Sequence, residues 1–299
     1  FQDRYREPSI ALYIHRLEEE GLLGGGSLRD LLWESTSDLQ PLPPEETSRW
    51  YRRIGVIVTR SSWTDPDASV LAVKAGHNAE PHNHLDIGQF IYHCYGNSFI
   101  CDLGIGVYDR NYFGSKRYEN PVCGAEGHNL IFIDGKSQAP GREYEGKIVK
   151  YHRETDWERI KIDLTKAYPS DVLSEAFRTL LFLKYEGLVL IDEVKCRKGA
   201  LVESRLHFRG EANLTSSGVD ISSGSVRVLV TPEETSPINI EIGTHKGLKV
   251  RDPQTAGAQY IRLLTRAAEG CGRIQTYIVP HRTEDELCAR LKALKSNSK

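Results

Sequence analysis

From residue 51 onward the chain is a series of short runs rich in β-branched and aromatic residues, each bounded by Gly, Asn, Asp or Pro. Clear examples are "IGVIVTR", "SVLAVKA", "QFIYHCY", "RIKIDL" and "LVLIDEV". Almost no helical pattern separates these runs, and strands at such spacing are typical of an antiparallel sandwich or a large barrel. We therefore expect a mainly β chain in which residues 51–281 form one large antiparallel domain.

Helical segments are predicted on both sides of this β domain. Within residues 1–50, "SIALYIHRLEEEGLL" has apolar residues at helical spacing, "SLRDLLWE" predicts a short capped helix, and "PLPPEE" predicts a linker. Residues 282–299 are predicted to form one C-terminal helix, because Thr283 and Glu286 have the spacing of a capping box.

The charge of the chain gives no sign of a nucleic-acid or membrane partner. The formal net charge is −2 and the sequence pI is about 6.6, so no general attraction to polyanions is expected. No apolar run approaches the roughly 18 residues of a membrane helix, and the sequence does not begin with a signal peptide. The chain starts at Phe1 rather than Met, which is consistent with processing or with a piece of a longer protein.

The stretch "PHNHLD" offers two imidazoles one residue apart. If it is a strand, alternation places His82 and His84 on one face. A hairpin through "YGNS" would return Asp102 beside His84, and His128 opens a third apolar run. Two His and one Asp from adjacent strands are a suitable zinc set; the alternative is ordinary polar surface.

A long polar segment rich in Gly and Tyr separates Asp102 from His128. It is too long for a simple hairpin. Its residues Tyr108, Tyr112 and Tyr118 are candidates either for aromatic packing or for ligand contacts. A neighbouring Arg or Lys would favour the phenolate and lower the pKa of such a tyrosine from its usual value near 10.

One family template is the cupin. Gly76, His82 and His84 match the first half of the cupin metal motif. The Glu expected three or four residues later is absent, since Gly88 and Gln89 occupy those places, and the second cupin motif is not recognisable. A cupin-type metal enzyme is therefore the weakest alternative.

A second template matches four ordered motifs. The chain resembles the heparinase II/III-like polysaccharide lyases, whose sheet domain carries H-x-H-x-D-x-x-x-F, D-x-G-x-G-x-Y, N-Y-[FY]-x-S and H-N-[ST]-[LIV] segments. The matching residues begin at His82, Asp102, Asn111 and His128. The resemblance spans about residues 51–281 and implies a supersandwich-like antiparallel β-sandwich. It also implies that residues 1–50 are the end of an (α/α) toroid.

The resemblance implies cleavage of an acidic polysaccharide, heparan sulfate-like or alginate-like, by β-elimination. Tyr112 is then the expected base, acid or both, with Tyr108 as the reserve, and His82 neutralises or orients the substrate carboxylate. Residues expected to bind substrate are His82, Asn111 and Arg117. Residues expected to hold a structural Zn²⁺ are His84, Asp102 and His128.

Three local departures from the family pattern concern the loop geometry and any Arg contact there: Gly114 stands where Arg is common, "YENPVCGAE" looks inserted before His128, and Leu130 replaces the frequent Thr or Ser. A larger departure is that only about fifty residues precede the sheet domain. A non-catalytic carbohydrate-binding module of the same fold is therefore the second hypothesis, and it is left open whether this chain alone is active. A homodimer is left open, and the substrate class suggests a periplasmic or secreted location.

Overall fold

The computed structural model describes residues 7–22, 40–234, 237–252, 255 and 257–298. The described residues are mainly β and divide into two compact units. One unit comprises the described residues up to Thr47 together with Ser62–Asp65. The other comprises Ser48–Ser61 and the chain from Pro66 onward, and it contains every strand described below.

The first unit contains helix α1, Pro8–Glu19. Pro8 stands in the first turn, where its fixed φ suits a helix and its missing N–H costs nothing. This confirms the first predicted helix, whereas the predicted short helix "SLRDLLWE" lies outside the described residues. In the same unit, Arg16 Nη2 donates to Trp63 O at 3.0 Å and Trp63 Nε1 donates to Glu46 O at 2.9 Å.

The second unit contains two antiparallel sheets, which confirms the predicted sandwich. Sheet 1 has the order β1-β2-β3-β5-β6-β12-β17-β16, with β7 also paired to β12. Its strands are β1 Ser48–Tyr51, β2 Val56–Arg60, β3 Val70–Lys74, β5 Phe90–Cys94, β6 Asn97–Ile100, β7 Ile131–Ile133, β12 Leu201–Phe208, β16 Asn239–Thr244 and β17 Gln259–Arg266.

Sheet 2 has the order β13-β14-β15-β18-β11-β10-β9-β8-β4. Its strands are β4 Gly76–Asn78, β8 Gly141–Arg153, β9 Trp157–Asp163, β10 Leu173–Leu183, β11 Gly187–Cys196, β13 Glu211–Leu214, β14 Val219–Ser223, β15 Val226–Pro232 and β18 Cys271–His281.

Four strands were not predicted from the sequence: β1, β4, β13 and β14. Three of them, β1, β4 and β13, have only three or four residues and stand at the end of a sheet. An edge strand is bonded on one side only and needs little apolar alternation, so its sequence carries a weak signal. The fourth, β14, lies between β13 and β15 but has only five residues, two of which are serines. Longer strands such as β9, which alternates strictly between buried and half-buried residues, do carry the signal.

The core lies between the two sheets and contains side chains of both, among them Leu71, Phe90, Leu180, Leu190 and Leu206. Burial of such apolar surface, at about 25 cal/mol per Å², is the main favourable term for a fold of this kind.

The C-terminal helix α2, Glu284–Asn297, covers the outer face of sheet 2. Leu287, Leu291 and Leu294 pack there against strands β10, β11, β15 and β18. The predicted cap is confirmed, because Thr283 Oγ1 accepts a hydrogen bond from Glu286 N at 3.2 Å. Within the described part of the chain, neither helix is long and apolar enough to span a membrane.

A buried ion pair joins the two sheets. Arg178 on β10 and Asp192 on β11 are direct partners in the ladder, and both are almost completely buried. Arg178 donates from Nε and Nη2 to the two carboxylate oxygens at 2.7 and 2.8 Å. Asp192 also accepts from Ser204 Oγ on β12 of sheet 1 at 2.7 Å. The pair therefore satisfies its own polar groups and ties sheet 2 to sheet 1.

We expect Arg178→Met to lower the free energy of unfolding by about 3–5 kcal/mol, because it leaves Asp192 buried without its cation. Chemical denaturation measures this change. The matched control is Lys195→Ala, which breaks the exposed pair with Glu175 on the same two strands and should have little effect. Equal effects of the two substitutions would contradict the role assigned to Arg178.

Candidate functional site

The predicted hairpin between β5 and β6 is confirmed, with Tyr95 and Gly96 at positive φ in its turn. Asp102 follows β6 and begins the second motif. It lies beside His128, which begins the fourth motif. Asp102 Oδ2 and His128 Nδ1 are 2.7 Å apart. The hairpin and the loop before β7 thus bring two of the four motifs into direct contact.

The "PHNHLD" stretch is a loop between β4 and β5 rather than a strand, so the expectation of a shared face was wrong. His82 adopts φ of +60°, which breaks the alternation that a strand would impose. His82 is exposed and packs its ring edge-on against Phe113, with centroids 5.0 Å apart. His84 points instead toward His128, with ring centroids 5.2 Å apart. Asp86 pairs with Lys74 at 2.6 Å.

The charges of the inner group are set by burial and by the Asp102–His128 contact. Burial, followed by the neighbouring His128, lowers the pKa of His84 to about 4, so its imidazole is neutral at neutral pH. Burial alone would lower the pKa of His128, but the Asp102 carboxylate raises it above its usual value. Burial alone would raise the pKa of Asp102, yet His128 and the Gly104 amide lower it overall.

The predicted zinc residues are neighbours, but they are not arranged as three ligands around one point. The Asp102 oxygen that would face a metal is hydrogen-bonded to His128 Nδ1. His128 Nε2 is buried without a hydrogen-bond partner, which leaves one imidazole nitrogen open for a ligand. Among the described residues there is no group of three or more His, Cys, Asp or Glu side chains that could hold a metal ion. Zinc binding therefore stays a prediction, and no chemical step is derived from it.

A network of buried polar groups extends from Asp102 into the interior of the domain. Gln89 Nε2 donates to Asp102 Oδ2 at 2.9 Å, and Gln89 Oε1 accepts from Asn129 N at 2.5 Å. Asn129 Oδ1 in turn accepts from His207 N at 2.6 Å. Arg178 Nη1 donates to the Asn129 carbonyl, and to that of Gly88 at 2.9 Å. The ion pair between the sheets therefore also anchors the loops of the site.

Sequence reasoning missed Gln89, Asn129, Arg178 and Asp192 as members of this network. A signal was present for the last two, since "FRTLL" places Arg178, and "LIDEV" places Asp192, inside an apolar run. Charged groups are almost never fully buried unless they are paired, so two such runs suggest a buried pair. Gln89 and Asn129 lie within motifs and carry no such signal.

Tyr112 does not have the lowered pKa that was expected for a catalytic base. Its side chain is 3% exposed, and its hydroxyl accepts from Gly106 N at 3.3 Å. Burial, followed by Cys123, raises the pKa of Tyr112 to about 12 and outweighs the opposing effect of Arg117. Tyr112 is therefore protonated at neutral pH and faces the interior of its loop.

Tyr108 and Phe113 are exposed, at 45% and 54%. Their rings contact each other at a centroid distance of 5.0 Å, and both contact Tyr112. Because His82 packs on Phe113, we call His82, Tyr108 and Phe113 the aromatic surface. It brings together two of the three predicted catalytic residues, His82 and Tyr108, in a form open to solvent, with Tyr112 beneath them.

Arg117 is buried, so it is not placed to meet a substrate as predicted. Its guanidinium donates to Asn83 O at 2.7 and 3.1 Å and to Tyr112 O at 2.6 Å. It also lies 5.2 Å from the Phe113 ring centroid. Arg117 therefore braces the loop under the aromatic surface. Asn111, the other predicted substrate contact, is exposed.

Two short 3₁₀ turns, Arg117–Glu119 and Ala125–Gly127, overlap the ends of the segment that looks inserted before His128. The second turn is tightly packed: a Cβ on Gly127 would lie 2.2 Å from Pro121 O, so only glycine fits there. At Gly114 the nearest atom to an added Cβ is 3.6 Å away, so the site would accept a Cβ there.

The zinc prediction is tested by metal analysis of the purified protein and of Asp102→Ala. If the three residues hold zinc, the wild-type protein carries about one equivalent and the variant carries much less, because Asp102 either binds the metal or orients His128. The measurement is atomic absorption after dialysis against a weak chelator. Equal zinc in both proteins, or none in either, would contradict the prediction.

We expect Arg117→Ala to lower the free energy of unfolding by about 2–3 kcal/mol, because two backbone carbonyls lose a charged donor. Proteolysis of the loop that follows Tyr112 should become faster. Denaturation and limited proteolysis measure these effects, with exposed Lys116→Ala as the neighbouring control. A variant of unchanged stability that binds saccharide more weakly would restore Arg117 as a substrate contact.

Comparison with known proteins gives one family. The sequence profile described as "Heparinase II/III-like, C-terminal" matches residues 43–275. No curated protein matches the chain. A crystal structure of heparinase III superposes with a TM-score of 0.67 at 16% identity, covering 84% of this chain and 39% of that one. Heparan sulfate lyase HepC from Pedobacter heparinus gives a TM-score of 0.67 at 14% identity, covering 93% and 42%.

These identities show a shared fold, and the chain spans about two fifths of the length of the solved structures it matches. The match to the profile over most of the chain excludes the cupin alternative. The four motifs read from the sequence all lie inside the matched range. The chain belongs to the heparinase II/III-like family, of which it carries the C-terminal β-sandwich domain.

Proposed function

We propose that this domain supplies one wall of a polysaccharide lyase site and binds an acidic polysaccharide there. The observation that carries the proposal is the aromatic surface: His82, Tyr108 and Phe113 are exposed, and the Phe113 ring contacts the rings of both His82 and Tyr108. Exposed aromatic rings are costly to leave in water and mark binding sites when they cluster. The solved relatives named above are a heparinase III and a heparan sulfate lyase.

The proposed reaction is β-elimination at a uronic acid. A base removes the proton on C5, the electron pair forms the C4–C5 double bond, the C4–O bond breaks, and the departing glycosidic oxygen takes a proton. The adjacent carboxylate must be neutralised so that negative charge can develop on it. No water is consumed, so the reaction needs a proton carrier and a cationic or hydrogen-bonding partner for the carboxylate.

Within this domain Tyr108 is better placed than Tyr112 to carry a proton. Tyr108 is 45% exposed, whereas Tyr112 is buried with its pKa raised to about 12. A base has to come within hydrogen-bond reach of the proton that it removes, and a buried hydroxyl engaged by Gly106 cannot do so without a change in the loop. His82 is the partner proposed for the substrate carboxylate.

The site is therefore organised in two layers that differ in exposure. The inner layer consists of buried His128 and half-buried Asp102, and the outer layer consists of the exposed groups proposed to touch the saccharide. Gln89, at the end of the loop that carries His82, joins the two layers because it is bonded to both Asp102 and Asn129.

We expect Tyr108→Phe to lower the rate of cleavage about 100-fold or more, the usual contribution of a general acid or base, while Tyr112→Phe keeps most of the activity. The assay follows the ultraviolet absorbance of the unsaturated uronate on heparan sulfate, alginate and hyaluronan. The protein should include any sequence that flanks residues 1–299. If the Tyr112→Phe protein is folded but inactive while the Tyr108→Phe protein is active, Tyr112 rather than Tyr108 is the proton carrier.

A second candidate function is a non-catalytic carbohydrate-binding module. It is favoured by the burial of Tyr112, the tyrosine that the family resemblance pointed to as the base. Binding of an acidic oligosaccharide without any unsaturated product from the three polymers would establish this second function. If the protein shows neither binding of the oligosaccharide nor unsaturated product, the proposal as a whole is overturned.

A further inference from the structure

A second segment runs beside the loop that carries Tyr108. Val107 N donates to Lys249 O at 2.9 Å, and Arg251 N donates to Ile105 O at 2.9 Å. Gly106 and Val250 form an antiparallel bridge between these two bonds. The segment after β16 is thus held in register against the loop that carries Tyr108. None of the sequence motifs indicates that these two segments are neighbours.

This register places Arg251 on Tyr108. The guanidinium carbon lies 4.1 Å from the centroid of the Tyr108 ring, well within the range of a cation–π contact. Both side chains are exposed. A guanidinium stacked on a ring has one face covered, while its N–H groups lie in its plane and point away from the ring. The stacking therefore orients these donors without using them.

The charge of Arg251 is not neutralised by a neighbour. Within the described part of the chain, Arg251 has no ion-pair partner, and the adjacent Asp252 is bonded to Arg209 at 2.9 Å. Lys249, in the segment that pairs with the loop, is also exposed. The paired segment therefore carries two exposed cations, Lys249 and Arg251, although the whole chain has a net charge of −2.

We propose that Arg251 is a specificity-determining residue that binds an acidic group of the saccharide, a carboxylate or a sulfate, beside Tyr108. This rests on the proposed function, because it assumes that the saccharide lies on the aromatic surface. Arginine binds such oxyanions through two parallel hydrogen bonds, and Tyr108 holds the guanidinium ready for them. The stacked sugar ring and the bound acid group would together fix the position of the chain on the domain.

The test is isothermal titration of the protein with two oligosaccharides, an alginate oligomer that has carboxylates only and a heparan sulfate oligomer that also has sulfates. We expect Arg251→Ala to weaken binding about tenfold or more. Arg251→Lys should recover only part of the loss, because an ammonium group cannot form the bidentate contact. A loss with both ligands identifies the carboxylate, and a loss with heparan sulfate alone identifies the sulfate.

The matched control is Arg282→Ala. Arg282, which directly precedes α2, also lies over a tyrosine ring, 4.2 Å from the centroid of Tyr95, but it is paired with Asp67. The Arg282→Ala substitution removes the same charge and the same type of contact at another place. The affinity of this variant for the oligosaccharides should equal that of the wild type.

The possible failures are distinct. Wild-type binding that is unchanged in Arg251→Ala would overturn the role of Arg251 and leave the proposed function standing. An equal loss in Arg251→Ala and Arg282→Ala would also overturn it, since general charge would then explain the effect. Absence of wild-type binding to either oligosaccharide, together with absence of unsaturated product, would overturn the proposed function itself.

Discussion

The Arg178–Asp192 ion pair is the constraint on which both the sandwich and the site depend. A fully buried guanidinium is tolerated when its charge is paired and its nitrogens are hydrogen-bonded, and here all three nitrogens donate, to Asp192 and to the carbonyls of Gly88 and Asn129. One side chain of sheet 2 therefore determines where two loops of the opposite layer must pass. Ser204 of sheet 1 completes the same cluster. The packing of the two sheets and the geometry of the site therefore depend on the same buried ion pair.

The site separates its residues by burial. Asp102 and His128 form a close pair whose pKa values move in opposite directions because each stabilises the charge of the other. Above them the aromatic surface meets solvent, with Arg251 at its edge. The buried layer provides rigidity through hydrogen bonds, and the exposed layer provides contact area and charge for an acidic saccharide. Tyr112 lies between the layers, where burial keeps its phenol protonated.

Much of the fold was predictable. The central strands alternate or are continuously apolar, the turn at Tyr95 and Gly96 closes the expected hairpin, and Thr283 caps α2 as its spacing indicates. Three of the four edge strands, β1, β4 and β13, were missed because a strand bonded on one side needs little apolar pattern. The "PHNHLD" stretch was misread as a strand because its residue types do not reveal the backbone reversal at His82: a positive φ is uncommon for any residue other than glycine.

The sequence by itself determined the family, the antiparallel architecture and the motifs from which the site is built, since ordered motifs and apolar patterning are local properties of the chain. Only the tertiary structure decided which site residues are buried and which are open. Tyr112 and Arg117 lie inside and Tyr108 lies outside, although all three come from one polar segment. It also brought Arg251 to Tyr108 from more than a hundred residues away. Burial and long-range contact depend on how distant strands pair, and no local pattern encodes that pairing.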